Sequence, residues 1–270
     1  MSLYTAAITL FLVLDPIGNI PIFLSVLGDL DDFFWPSTTW YGRREDRELR
    51  DIVLVYSGQT VPTVIGEGEQ PDGLRGLLAE IAPHLPQRFH AHLSPGVEPF
   101  FQDTHTIRPH GGHYRMTLRD SEGVSDTEDP KVVAMGPAHL SEALVLYQQS
   151  YPENWFDARM LETGRYYGLW DAGQMVSVAG VHVYPRRYRV AALGNIATHP
   201  AHRGKGYGTR VTAHLCRTLR DEVDHIRLNV KADNVAAIRC YQRLGFEIVA
   251  RYAEFDLERK IQVRKAVRPF

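Results

Sequence analysis

Three glycines at alternate positions, Gly204, Gly206 and Gly208, stand between a β-type run and an amphipathic helical run. The segment reads Asn195-Ile-Ala-Thr-His-Pro-Ala-His-Arg203-Gly204-Lys205-Gly206-Tyr207-Gly208-Thr209. Such a junction constrains the fold, because glycine most readily supplies the positive φ and close backbone approach of a tight strand-to-helix loop. It constrains the chemistry as well. The helix N-terminus offers unpaired N–H donors and the positive end of a dipole, and Arg203 and Lys205 add full charges. The combination suits a pyrophosphate. A Walker loop is excluded, since Lys205 is followed by Gly206 where Ser or Thr is required. A dinucleotide fingerprint is excluded on spacing: Gly204-x-Gly206-x-Gly208 is one residue short, and a start at Gly206 puts Val211 in the third place.

The surrounding pattern predicts an α/β chain with a mostly covered sheet. From Lys131 onward, strand and helix signals alternate: strands at 132–135, 166–170, 175–183, 193–198, 226–230 and 246–257, and helices at 139–147, 156–162, 209–222 and 236–244. Asp171-Ala172-Gly173 reads as a turn, and Gly180 as a bulge in its strand. Val211, Leu215 and Leu219 form one apolar stripe at i, i+4, i+8. Asp233-Asn234 are capping types before the last helix, and Gly245 suits its left-handed end. Upstream, 52–56, 61–65 and 113–118 are strand candidates, and Leu74, Leu77, Leu78 and Ile81 define a helix that Pro83 and Pro86 stop. The acidic, turn-forming stretch 121–130 is the expected domain boundary. The expected organisation is an apolar leader over 1–28, a linker over 29–50, an N-terminal accessory, acceptor-binding domain over 51–130, and a catalytic domain over 131–265.

Arg203, Gly206 and Gly208 spell RxxGxG, and downstream Asn229-Val-Lys-Ala-Asp-Asn234-x-x-Ala237-x-x-x-Tyr241-x-x-x-Gly245-Phe246 follows. In these residues the chain resembles the GNAT superfamily of acyl-CoA-dependent N-acetyltransferases over about 131–260. The resemblance implies a mixed central sheet flanked by helices, acetyl-CoA as cosubstrate, and direct transfer of its acetyl group to a primary amine in a ternary complex. It implies that the backbone of Ile196, Ala197 and Thr198 pairs with the pantetheine arm. The amides of Arg203, Gly204, Lys205, Gly206, Tyr207, Gly208 and Thr209 then hold the pyrophosphate. Asn229, Asn234 and Ala237 line the cofactor path, and Tyr241 protonates the departing thiolate. A phenol suits that task because it is neutral at pH 7 and can donate to a forming anion. The general base is open. Relatives place Glu or Asp on the strand before the loop, where this chain reads Leu-Gly-Asn-Ile-Ala-Thr. His199 and His182 are candidates by their titration range, beside proton loss through water. A non-catalytic acyl-CoA-binding sensor on the same fold is the alternative function.

Charge supports this division. The chain's net charge is −2, but residues 1–192 hold 15 basic and 24 acidic side chains, and residues 193–265 hold 14 and 8. The basic block contains the glycine loop and suits a polyanionic ligand of modest size; the acidic remainder suits a cationic amine. The overall balance gives no support to nucleic-acid binding. Cys216 and Cys240 lack CxxC spacing and read as small buried hydrophobes of a reducing compartment, so a cytoplasmic location is expected.

Two features stand apart. Residues 1–28 lack Lys and Arg, and FLVLDPIGNIPIFLSVL resembles the first membrane helix of the MarC family. Asp15-Pro16 interrupts the apolar run, so a fused or mis-started leader, a membrane anchor and a buried hairpin are three alternatives. Six of the twelve histidines fall at 84, 90, 92, 105, 110 and 113. His90-x-His92 puts two rings on one strand face, but no HExxH or partner cysteine accompanies them, and no metal is expected. The segment Arg88-Phe-His-Ala-His-Leu-Ser-Pro-Gly-Val resembles the N-terminal half of two-part GNAT proteins. It suggests a degenerate copy of the same fold, with an acceptor pocket between the halves.

Overall fold

The computed structural model describes residues 37–45, 48–124, 129–152, 154, 156–184 and 189–260. In chain order the elements are β1 (Thr38–Glu45), β2 (Glu48–Tyr56), β3 (Thr63–Gly68), α1 (Pro71–Ile81), β4 (Arg88–Leu93), β5 (His105–Leu118), β6 (Val132–Ala134), α2 (Leu140–Ser150), β7 (Tyr167–Asp171) and β8 (Gln174–Val183). There follow β9 (Val190–Thr198), α3 (Tyr207–Leu219), β10 (His225–Lys231), α4 (Val235–Arg243) and β11 (Phe246–Arg259). The described residues form two compact units, one of 37–112 with 251–260, the other of 113–250. The units divide at 112/113 and 250/251, away from the expected break at 130/131. Of the residues expected as a linker, 38–45 and 48–50 lie in strands. The leader, with its membrane-helix resemblance, lies outside the described residues. Among the described residues no helix is long and apolar enough to cross a membrane.

In the unit of 113–250, β6, β7, β8 and β9 are successive antiparallel neighbours, β9 runs parallel to β10 across α3, and β10 is antiparallel to residues 113–117 of β5. The β7–β8 hairpin turns on Ala172 and Gly173, both at positive φ, the pairing that matches strand twist in a two-residue turn. Each sheet face has its own cover. Val211, Leu215, Cys216 and Leu219 of α3 pack with Val181, Leu193 and Leu228, joined by Ile238 and Tyr241 of α4. Ala143, Leu146 and Tyr147 of α2 pack with Tyr166, Met175, Val178 and Ala197. Gly245 ends α4 at φ +92°.

The other unit repeats this order of elements. β1, β2 and β3 form an antiparallel meander, β3 runs parallel to β4 across α1, and β4 is antiparallel to residues 253–258 of β11. Leu74, Leu77, Leu78 and Ile81 bury one face of α1 against Val53, Val64, Phe89 and Leu93. The histidines of β4 are matched by carboxylates in register on β11. His90 pairs with Asp256 at 2.5 Å and His92 faces Glu254 at 3.7 Å, while His110 reaches Asp256 at 3.0 Å. Desolvation works to raise the Asp256 pKa, but the contacts from His110 and His90 outweigh it and hold that pKa below its ordinary value. Among the described residues no group of three or more His, Cys, Asp or Glu side chains is arranged to hold a metal ion.

Gly180 sits on β8 with the fully buried Tyr166 ring where a side chain would project. Gly180→Ala is therefore expected to lower stability by about 1–3 kcal/mol, the usual cost of overpacking a filled core. The check is the urea midpoint, which should fall with an unchanged m-value.

Candidate active site

The parallel pairing of β9 and β10 runs only from Val190↔His225 to Leu193↔Leu228, although β9 continues to Thr198 and β10 to Lys231. Beyond that point the ladder stops, and the unpaired stretch between residues 194–198 and 229–231 is termed the wedge. The irregularity behind it lies on β9. Against β8 the register passes from Gly180↔Gly194 to Val178↔Ala197, so two steps on β8 oppose three on β9. The extra residue is in β9, where Asn195 has φ +52°, and the bulge expected at Gly180 is thus on the facing strand. A second irregularity, Val181↔Leu193 to Val183↔Ala192, places the compensating residue on β8 at His182. Ile196, Ala197 and Thr198 follow the bulge and form the β9 side of the wedge.

The loop after β9 has the conformation its glycines suggested. Gly204 and Gly206 have φ +78° and +79°, and a Cβ at either would meet no atom within 4 Å. The open space lies before α3, whose N-cap, Gly206, supplies no side-chain cap to the first-turn amides. Gly208 is more confined, with Thr198 Oγ1 3.1 Å from a would-be Cβ. Donors, positive dipole end, Lys205 and open space fit a pyrophosphate. The Arg203 side chain is engaged in building the loop: its Nε donates to Thr198 O at 3.3 Å and a terminal nitrogen to Ser150 O at 3.2 Å. The Tyr207 hydroxyl donates to Asp171 at 2.8 Å, a bond that lowers the Asp171 pKa and raises that of Tyr207. Thr209 Oγ1 lies 3.1 Å from Cys240 Sγ and links α3 to α4.

On the facing strand, Asn229 is exposed just beyond the last β9–β10 pair. Asn234 caps α4, its Oδ1 accepting from the Ala237 N–H at 3.1 Å. Tyr241 is 7% exposed, edge-on to Phe246, and burial raises its phenol pKa, so it remains protonated through neutral pH.

Both histidine candidates make local contacts. His199 caps the turn after β9, its Nδ1 accepting from Ala201 N–H at 3.2 Å, which puts the proton of the neutral ring on Nε2. The His182 ring lies over Gly194, and burial lowers its pKa. Sequence reasoning passed over the polar side chains behind the bulge. Tyr147 donates to Asn195 O at 2.9 Å, Asn195 Nδ2 donates to the Tyr166 hydroxyl at 2.9 Å, and Ser177 Oγ donates to Ala197 O at 3.0 Å. The available signal was Gly194-Asn195 inside a strand, a pair of types that ordinarily marks a turn.

Residues 132–246 match the family profile described as Acetyltransferase (GNAT) family. Mycothiol acetyltransferase of Salinispora tropica is 30% identical over 109 residues, 39% of this chain and 34% of that one, so this chain spans about a third of that relative's length. N-alpha-acetyltransferase RimI of Mycobacterium tuberculosis is 28% identical over 135 residues, 48% of this chain and 82% of that protein. Among solved structures, a tandem GNAT protein from the clavulanic acid biosynthesis pathway shares the fold at TM-score 0.56 and 17% identity, covering 94% of each chain. Acetyl-CoA is the acetyl donor of this family. The glycine loop and the end of the parallel β9–β10 ladder both lie inside the matched residues, so the part of the chain over 132–246 is similar to the acetyltransferase domain of the GNAT family.

Proposed function

We propose that this chain transfers the acetyl group of acetyl-CoA to a primary amine by direct attack in a ternary complex. The observation that carries the reading is the wedge between β9 and β10, open directly beside the positive-φ loop at the start of α3. The thioester supplies the activated acyl group. Backbone groups of Ile196, Ala197 and Thr198, left without a β10 partner, hold the pantetheine arm as an added strand. The amides from Arg203 to Thr209 hold the pyrophosphate, with Lys205 adding charge. Asn229, Asn234 and Ala237 border the path from the β10–α4 side. Tyr241 gives its proton to the departing thiolate, and its raised pKa keeps that proton available at working pH. The His199 Nδ1 is engaged in its cap, which favours loss of the amine proton through water.

The unit of 37–112 with 251–260 is read as a degenerate copy of the same fold. Its meander, crossover helix, parallel strand and antiparallel closing strand follow the order of the other unit. Its parallel pair stays closed: after Gly66↔Leu93, Ser94 N–H donates to Gly66 O at 3.0 Å and Gly68 N–H to Ser94 Oγ at 3.4 Å. Glu67, Glu69 and Asp72 stand around the strand-to-helix loop, Glu69 bridged to Arg50 and Asp72 to Arg75, and the loop itself carries no Lys or Arg to meet an anionic cofactor. One acetyl-CoA per chain follows, measured as the stoichiometry of a calorimetric titration; two equivalent sites would refute the reading.

Gly206→Val forces a β-branched residue into positive φ and fills the open space. Thermal stabilisation by acetyl-CoA is expected to vanish while the far-UV spectrum is kept, and retained stabilisation would count against the loop. Tyr241→Phe is expected to lower kcat by about 10²-fold, the scale of a general acid, with acetyl-CoA affinity little changed. Because its protonated form is the active one, the wild-type kcat should hold to a pH above the ordinary phenol pKa of about 10 before any loss assignable to Tyr241. An unchanged rate in the phenylalanine variant removes Tyr241 as the acid.

A further inference from the structure

Resting on the acetyl-CoA reading above, we propose that Arg115 and Arg227 bind the carboxylate of the acceptor, which makes the acceptor a free amino acid. The two guanidinium groups belong to the sheet face from which the amine approaches the thioester.

The antiparallel pairing of β5 with β10 sorts their side chains onto two faces. Thr117 stands opposite Arg227, Arg115 opposite Asn229, and His113 opposite Lys231, so these six share one face. All six lie in the unit of 113–250. The alternate residues Ile226, Leu228, Val230 and Met116 take the other face, buried with Leu215 of α3 and Ile238 of α4. Two helices thus close that side. A thioester held between 196–198 and 229–231 is therefore reached by the amine from the polar face.

Burial separates this polar face from an ordinary solvated one. Arg115 is 4% and Arg227 9% exposed, whereas Asn229, directly opposite Arg115, is open to solvent. Arginine is rarely buried to this extent, because taking its charge out of water is costly. The two arginines are diagonal neighbours, about 7–8 Å apart at the backbone and within reach of each other's long side chains. Two like charges so placed in a medium of low dielectric raise the potential for an anion between them. The guanidinium fork matches a carboxylate with two parallel N–H bonds, and its five donors serve a ligand alongside other contacts. Arg227 also lies two positions before Asn229 along β10, about 6–7 Å, the scale of one small amino acid and its hydrogen bond. A carboxylate at the arginines therefore leaves the amine at the wedge.

The test uses the full chain, acetyl-CoA as donor, and matched acceptors: L-amino acids with aliphatic, aromatic, acidic and basic side chains, each beside its C-terminal amide. The amide lacks the carboxylate and, as the weaker base, keeps more of its amine neutral, so it reacts faster wherever the carboxylate is not recognised. The wild type is expected to favour at least one amino acid over its amide by about 10- to 100-fold in kcat/KM, the factor that hydrogen bonds to a charged group supply. Arg115→Gln and Arg227→Gln should each lower that ratio by about tenfold or more, chiefly through the KM of the amino acid, with the KM for acetyl-CoA unmoved. Arg115→Lys and Arg227→Lys keep the charge without the fork, and cover the case in which a glutamine variant does not fold; intermediate ratios are expected. No preference for any amino acid in the wild type, or a preference kept by every folded variant, overturns the inference alone. Acetyl-CoA binding without turnover of any acceptor in the panel overturns it too, and leaves the cofactor site standing. Absence of acetyl-CoA binding by the unmodified chain overturns the acetyl-CoA reading and this inference with it.

Discussion

A parallel strand pair satisfies its backbone donors and acceptors only while the strands stay about 4.8 Å apart, and β9 and β10 keep that arrangement for four residue pairs. After Leu193 the ladder stops, and the polar groups of 196–198 need other partners. Much of the unit can be understood as a response to that interruption. The residue added to β9 at the bulge is balanced by one added to β8 at His182, so the pairing returns to its former register at Ala192. Glycines 180 and 194 stand opposite each other in that offset stretch, and each leaves room for a ring, Tyr166 over one and His182 over the other. The disturbance is thereby confined to one strand pair.

The two units make the same point by contrast. Both place a helix between parallel strands, but the loop into α1 is Glu69-Gln70 whereas the loop into α3 carries Gly204 and Gly206. Where the ladder is complete, as between β3 and β4, Ser94 consumes the groups that a ligand would need. Where it stops short, as between β9 and β10, residues 196–198 have no β10 partner, and a basic loop follows them. A common fold therefore carries different capacities according to where its backbone hydrogen bonds end.

Much of the fold was legible because its signals are local. The stripe of α3, the cap of α4 at Asn234, the turn at Ala172-Gly173 and the end at Gly245 each depend on a few neighbouring residues, and all appear where expected. The glycine loop was legible for the same reason. β1 was missed because Thr38–Glu45 is rich in polar and charged residues, which suggested a linker. β5 was read only over its apolar end, since His105–Gly112 has no clean alternation and contains Pro109. The bulge escaped because its cause is distributed. Tyr147, Tyr166 and Ser177 lie far from Asn195 along the chain, and no periodicity links a hydroxyl to a carbonyl nearly fifty residues away. The assignment of His199 as a base drew on titration range alone, and the structure gives its Nδ1 a local capping bond.

The closing strands of the two units have a consequence for how such a protein can be divided or rearranged. The strand that completes the sheet beside β10 comes from residues 113–117, well before the family-matched region, and the one beside β4 comes from residues 253–258, well after it. Each half in sequence thus donates its last strand to the other half in space. A cut between β5 and β11 separates β4 from its β11 partner and leaves one fragment with an unsatisfied strand edge, a surface prone to association with other chains.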